Sequence, residues 1–222
     1  MTSRNIYATP TAKDAALQAR APAFQSMRYN IAMDKDPRFW HSRGYLPHVE
    51  KDGLTQFITF RLADSMPQDV LSRWHADLAS GEITDADFRK RIEYYLDQNY
   101  GSSHLRDPRI ATILQETLLK WDGERYKLIS WVIIPNHGHI LLTPEAEFSV
   151  ADIMHSIKSY TAHEANKILG RKGQFWSREY FDRFIRDRRH IASTIAYIEN
   201  NPVKARLCDA PEKWPYSSAY FK

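Results

Sequence analysis

Pro135 and Asn136 are the only residues between two long apolar, β-branched runs, in Tyr126 to Leu142, YKLISWVIIPNHGHILL. A two-residue break leaves room only for a reversal, so the runs are expected as neighbouring antiparallel strands, Tyr126 to Ile134 and His137 to Leu142. Trp131 to Ile134 leads into the turn and Ile140 to Leu142 leaves it, which places His137-Gly-His139 at the centre of a sheet. Side chains two apart on a strand share a face, so both imidazoles point the same way and can grip one cation. Polar rings buried there need partners, and a metal is one of them. Two imidazoles alone under-coordinate a metal, so a third ligand has to come from elsewhere in the fold. With nine histidines in the chain an H-x-H also arises by chance, and two hydrogen-bonded histidines without an ion are the competing reading.

Around this hairpin the pattern alternates helix and strand. Thr55 to Leu62, TQFITFRL, reads as a first strand, and Pro67 opens a helix through about Leu78. Residues 81–100 carry a capped start at Thr84-Asp-Ala-Asp87 and read as an inserted helix. Asp107-Pro108 opens another helix through about Trp121, with Ile110, Ile113, Leu114 and Leu118 on one face. Ser149 begins a long helix whose apolar positions Ile153, Ile157, Tyr160, Ala165 and Ile168 keep the helical period to Gly170. Gln174 to Ile185 is expected to be extended, and a last helix runs from about Arg188 to Asn200, stopped by Pro202. This order implies an α+β arrangement, a mostly antiparallel sheet with helices packed on it. Residues 1–33 lack a sustained apolar period and read as a poorly ordered extension, leaving 34–222 as one catalytic domain. Met33 stands just before the denser segment and offers a second start.

The chain has 222 residues, a formal charge of +4 and one cysteine, Cys208. A single thiol excludes an intrachain disulfide framework and a Cys-rich zinc site, which agrees with a reducing compartment. No apolar run is long enough to span a membrane and no secretory signal opens the chain, so a soluble, cytoplasmic protein is expected. The basic excess, with Arg183, Arg186, Arg188 and Arg189 close together, favours a polyanionic partner, although a solvated basic surface gives the same composition.

In the last helix, Tyr197-Ile-Glu-Asn-Asn201-Pro places Tyr197 and Asn201 four residues apart, on one face. An amide oxygen there can complete a metal site while the phenol stands one turn away as a nucleophile. Read without the histidines, Tyr197 is a packing residue and Asn201 a helix C-cap before proline. Tyr160 and Tyr180 are rival nucleophiles and read as packing. Glu199, two residues from Tyr197, faces elsewhere, and no carboxylate stands at a spacing that suits a general base.

PNHGH on a strand, FWSREYFDRFIRD and AYIENNPVKARL together resemble the single-tyrosine HUH transposases, in particular the REP-associated tyrosine transposases. The resemblance extends over most of residues 38–220, through GYLPH, TQFITFRLADSMP, LRDPRIA and WPYSSA. It implies a ferredoxin-like (RRM-like) core, Mg²⁺ or Mn²⁺, and cleavage of single-stranded DNA beside hairpin DNA through a 5′-phosphotyrosine. Residue by residue it implies His137, His139 and Asn201 as metal ligands and Tyr197 as nucleophile. By the same resemblance Arg43 and Tyr45 contact the hairpin. Lys158, Arg183, Arg186, Arg188 and Arg189 are candidate phosphate contacts, weighed against ordinary solvated charge. The middle residue of the His pair is usually bulky and apolar in that family. Here it is Gly138, expected to weaken the strand and leave a hole on its opposite face. A hairpin-binding module without cleavage and a metal-dependent hydrolase are the competing functions, and the resemblance allows monomer or homodimer.

Overall fold

In the computed structural model, residues 53–222 are described in full, preceded by the backbone of two short strands, β1 (Trp40–Ser42) and β2 (Pro47–Val49), paired antiparallel. Arg43 and Tyr45, and the extension 1–33, lie outside the described residues. The elements that follow are β3 (Gln56–Arg61), α1 (Gln68–Ser80), α2 (Asp85–Asp97), α3 (Pro108–Lys120), β4 (Tyr126–Ile134), β5 (His137–Pro144), α4 (Val150–Ile168), β6 (Phe181–Phe184) and α5 (Arg188–Lys204). Four strands form an antiparallel sheet in the order β4-β5-β3-β6. Ignoring the α1–α2 insertion, the βαββαβ succession and this strand order are those of the ferredoxin-like fold.

Alternation along β3 divides the molecule. Ile58 and Phe60 face one side, with Ile140, Leu142, Trp131 and Ile133 from β5 and β4, and meet Leu114 and Leu118 of α3 and Ile153 and Ile157 of α4. Burying each such side chain contributes about 1.5–3 kcal/mol, so this layer is the main core. Phe57 and Leu141 face the other side, with Val132 and Ile134, and pack under Ile191 and Ile198 of α5. A third cluster of Met66, Leu71, Phe88, Ile92 and Leu96 belongs to the inserted helices. The helix starts are set by local chemistry. Thr84 and Asp87 close a capping box on α2, Asp107 caps α3 ahead of Pro108, and Ser149 caps α4.

Several expectations need correction. Pro202 does not stop the last helix, which continues to Lys204. Proline removes only the bond its own N–H would make, and here it sits in the final turn, where Ala205 and Leu207 N–H groups still reach the carbonyls of Asn201 and Pro202. Asn201 is therefore not a C-cap; Ala205 is, and Asn201 lies inside the helix. Gly138 leaves no hole: β3 pairs Phe60 with Gly138, and a Cβ built on the glycine would stand 2.6 Å from the Phe60 ring, which fills the space. Tyr160, expected on the apolar face of α4, is 55% exposed. The extended segment 174–185 is mostly irregular, with only Phe181–Phe184 joining the sheet.

A candidate metal and tyrosine site

The turn at Pro135-Asn136 delivers His137 and His139 to the sheet face that α5 covers, and both rings are fully buried. Their Nε2 atoms stand 3.1 Å apart. Each ring is held at its other nitrogen. Asn136 Oδ1 lies 2.7 Å from His137 Nδ1, while Asn136 Nδ2 donates to the carbonyls of Leu96 and Tyr100. With the amide so oriented, Oδ1 can only accept, so His137 carries its proton on Nδ1 and turns a bare Nε2 inward. His139 Nδ1 lies 2.9 Å from Thr59 Oγ1, a hydroxyl that can accept or donate. His139 can therefore give an Nε2–H to His137 in one tautomer and present a second bare nitrogen in the other. Burial, with the Lys204 charge nearby, holds His137 down to about 3 from its ordinary 6.5, and burial likewise lowers His139. Neutral imidazoles are what a cation requires.

Tyr197 packs edge-on against His139 with ring centroids 5.5 Å apart, and Phe57 stacks on His139 at 5.3 Å. Asn201 follows one helical turn later, 1% exposed, on a helix that lies against β4 and β5. Both polar atoms of its carboxamide are buried and find no hydrogen-bond partner among the described residues. A buried amide left unsatisfied costs about 1–3 kcal/mol, so a group that recovers it has a real energetic foothold here. The donor set suits a divalent cation. The two Nε2 atoms, 3.1 Å apart, would both face one ion, and a carboxamide oxygen is an acceptable third donor. Among the described residues no group of three His, Cys, Asp or Glu side chains could hold a metal, so the amide is essential to this reading.

Two carboxylates that sequence reasoning missed come from the inserted helix. Glu93 and Asp97 of α2 both act on the Tyr197 phenol; burial first, then these two charges, hold its proton more tightly than water would. The phenol oxygen is buried and Glu93 is within reach of it, without the alignment of a formed hydrogen bond. Arg183 Cζ lies 4.7 Å from the Phe57 ring, and Lys204 Nζ lies 5.6 Å from the Tyr197 ring. The only prior signal for Glu93 and Asp97 was their i, i+4 spacing on a capped helix, which says nothing about where that helix docks.

The remaining candidates scatter. Lys158 sits away from the imidazoles, donating to the Arg178 carbonyl at 2.8 Å beside the Tyr180 ring, and burial pushes it down to about 8. Arg186, Arg188 and Arg189 are exposed at the start of α5. Tyr180 is a packing residue of the main core. Glu199 faces away as expected, bound to Ser218 and Lys222.

Comparison with known proteins gives one answer three times. Residues 99–201 match the family model described as transposase IS200-like. A curated protein of Haemophilus influenzae, described as a REP-associated tyrosine transposase, is 27% identical over 103 residues, which cover 42% of this chain and 58% of that protein. The matched segment thus spans little more than half of that relative's length. A solved structure of a REP-associated tyrosine transposase bound to a REP hairpin superposes with a TM-score of 0.51 at 18% identity, over 78% of this chain and 81% of the other, and shares the fold. The chain is similar to the IS200-like transposases over residues 99–201 and to a REP-associated tyrosine transposase, and its fold is that of a solved REP-associated tyrosine transposase.

Proposed function

We propose that this chain cuts and rejoins single-stranded DNA beside hairpin sequences, with Tyr197 as nucleophile and His137, His139 and Asn201 holding Mg²⁺ or Mn²⁺. The observation that carries the reading is the meeting of a phenol and an unsatisfied carboxamide from α5 with two neutral imidazoles from β5, inside one sheet face. The fold neighbour was captured on a REP hairpin, which supports hairpin DNA as the partner.

The chain's own residues divide the work. Asn136 fixes the His137 tautomer, and rotation of the Thr59 hydroxyl allows His139 to release its inward proton. A bound divalent ion would supply a Lewis acid that polarises the scissile phosphate, and imidazole donors suit Mn²⁺ better than Mg²⁺. Tyr197 Oη then attacks phosphorus as the bond to the 3′ oxygen breaks. The phenol loses its proton, the 3′ oxygen leaves as a hydroxyl, and the 5′ phosphate remains on the tyrosine. Attack by another 3′ hydroxyl reverses the step and joins new ends without ATP, because the covalent link keeps the phosphodiester energy.

Incubation with single-stranded hairpin oligonucleotides and Mn²⁺ tests this directly. A protein–DNA species that survives denaturation is expected from the native chain and not from Tyr197→Phe, which should still bind the hairpin. Binding without any adduct would favour a hairpin-binding module. Cleavage that survives Tyr197→Phe would favour a hydrolase and sink the tyrosine mechanism.

A further inference from the structure

Of the two cations beside the phenol, Lys204 is paired with an anion and Arg183 has one across a cavity. Lys204 Nζ, on α5, lies 2.5 Å from Asp97 Oδ2 of α2, although Lys204 is 55% exposed and Asp97 only 9%. Arg183, on β6, lines a cavity over the sheet together with Phe57, Thr59, Arg89 and Glu93, so Glu93 faces it across that space. Arg183 Nε is buried with no hydrogen-bond partner among the described residues. Glu93 and Asp97 are one turn apart on a single helix, which presents two negative charges side by side. Tyr197 Oη is buried, with Glu93 and Asp97 of α2 acting on it, and the Asn201 carboxamide one turn on is buried as well.

We propose that Arg183 and Lys204 form a phosphodiester-binding pair flanking Tyr197, and that Glu93 and Asp97 of the inserted helix occupy it as internal substitutes for two DNA phosphates. The proposal rests on the reading of the chain as a DNA-binding protein. It gives the insertion a role: α2 neutralises the groove and covers the nucleophile until a strand displaces its carboxylates. A carboxylate on Arg or Lys makes the same charge-assisted hydrogen bonds a phosphate oxygen makes, so the exchange conserves contacts while exposing the phenol.

The test measures binding of a single-stranded oligothymidylate across a salt series, without metal and therefore without chemistry. The variant Glu93→Gln with Asp97→Asn should bind about tenfold tighter than the native chain, and its log K against log salt should steepen by about 1.4, two phosphates at about 0.7 each. The control Glu124→Gln with Asp209→Asn alters two exposed carboxylates elsewhere and makes the same change in net charge. It should give clearly less of both effects. Replacing Arg183 and Lys204 by Gln in the opened variant should remove the excess. Equal gains from the opened variant and the control, or a gain that persists without Arg183 and Lys204, would overturn the proposal. Should the double variant not fold, Asp97→Asn alone should give about half the gain, and no gain from it also overturns the proposal. The adduct assay answers a separate question, since loss of covalent chemistry would leave these binding differences intact.

Discussion

Gly138 and Phe60 exchange volume across the β3–β5 pair: the ring lies where a side chain between the histidines would stand. Gly138→Val should overpack the site and cost about 1–3 kcal/mol in urea unfolding, and adding Phe60→Leu should recover part of that loss in a double-mutant cycle. On the other face of the same strands, the Thr59 hydroxyl is the one hydrogen-bond partner of His139 Nδ1 among the described residues. Thr59→Val keeps the shape and removes the hydroxyl, so Mn²⁺ affinity by calorimetric titration should fall about 10–100-fold with little change in fold. Unchanged affinity would mean that the hydroxyl does not set the tautomer. The histidines also carry a pH signature. His137 is lowered in the folded chain to about 3, so between 6.5 and that value the unfolded state binds a proton that the native state refuses. Its contribution to stability is complete above pH 6.5 and is lost as pH falls toward 3, at about 1.4 kcal/mol per pH unit for one such group. His139 acts in the same direction. Urea midpoints without metal should drop between pH 7.5 and pH 5; a flat profile would contradict neutral, buried imidazoles.

Among the elements, α2 is held by its own cap and by a small cluster shared with α1, with Phe181 of β6 packed against it. Thr84→Ala removes the capping-box oxygen and should cost about 1 kcal/mol of helix stability. Hydrogen exchange should then accelerate in Asp85–Asp97 while β5 amides stay protected, because the sheet does not depend on that cap. Leu96, near the end of α2, also accepts from Asn136, which in turn holds His137. The insertion therefore supports the histidine pair from its C-terminal end while presenting Glu93 and Asp97 toward the tyrosine. In α5, the buried face carries Ile191, Thr194, Ile198 and Asn201, so the proposed nucleophile and the proposed third ligand travel with the packing of one helix.

For the whole molecule, a metal that binds the folded site and not the unfolded chain raises stability by mass action. Mn²⁺ at 100 times its Kd should add about 2.7 kcal/mol to unfolding, read as a rise in Tm. His139→Ala should abolish that increment, whereas Arg189→Ala, exposed at the start of α5, should leave it. Among the described residues no helix is long and apolar enough to cross a membrane.

Local pattern was enough for much of this protein. Alternation, caps and the two-residue turn at Pro135-Asn136 determined β4, β5, α2, α3 and α4 nearly to their ends, because hydrogen-bonded turns and caps are short-range chemistry. The strand also determined that His137 and His139 share a face, and the helix that Tyr197 and Asn201 do. Docking decided the rest. That α5 lays its tyrosine against His139, that Phe60 fills the space above Gly138, and that α2 sets Glu93 and Asp97 beside Arg183 and Lys204 all depend on contacts between residues far apart in sequence. Such contacts follow from how the buried faces fit together, and no periodicity along the chain records that fit.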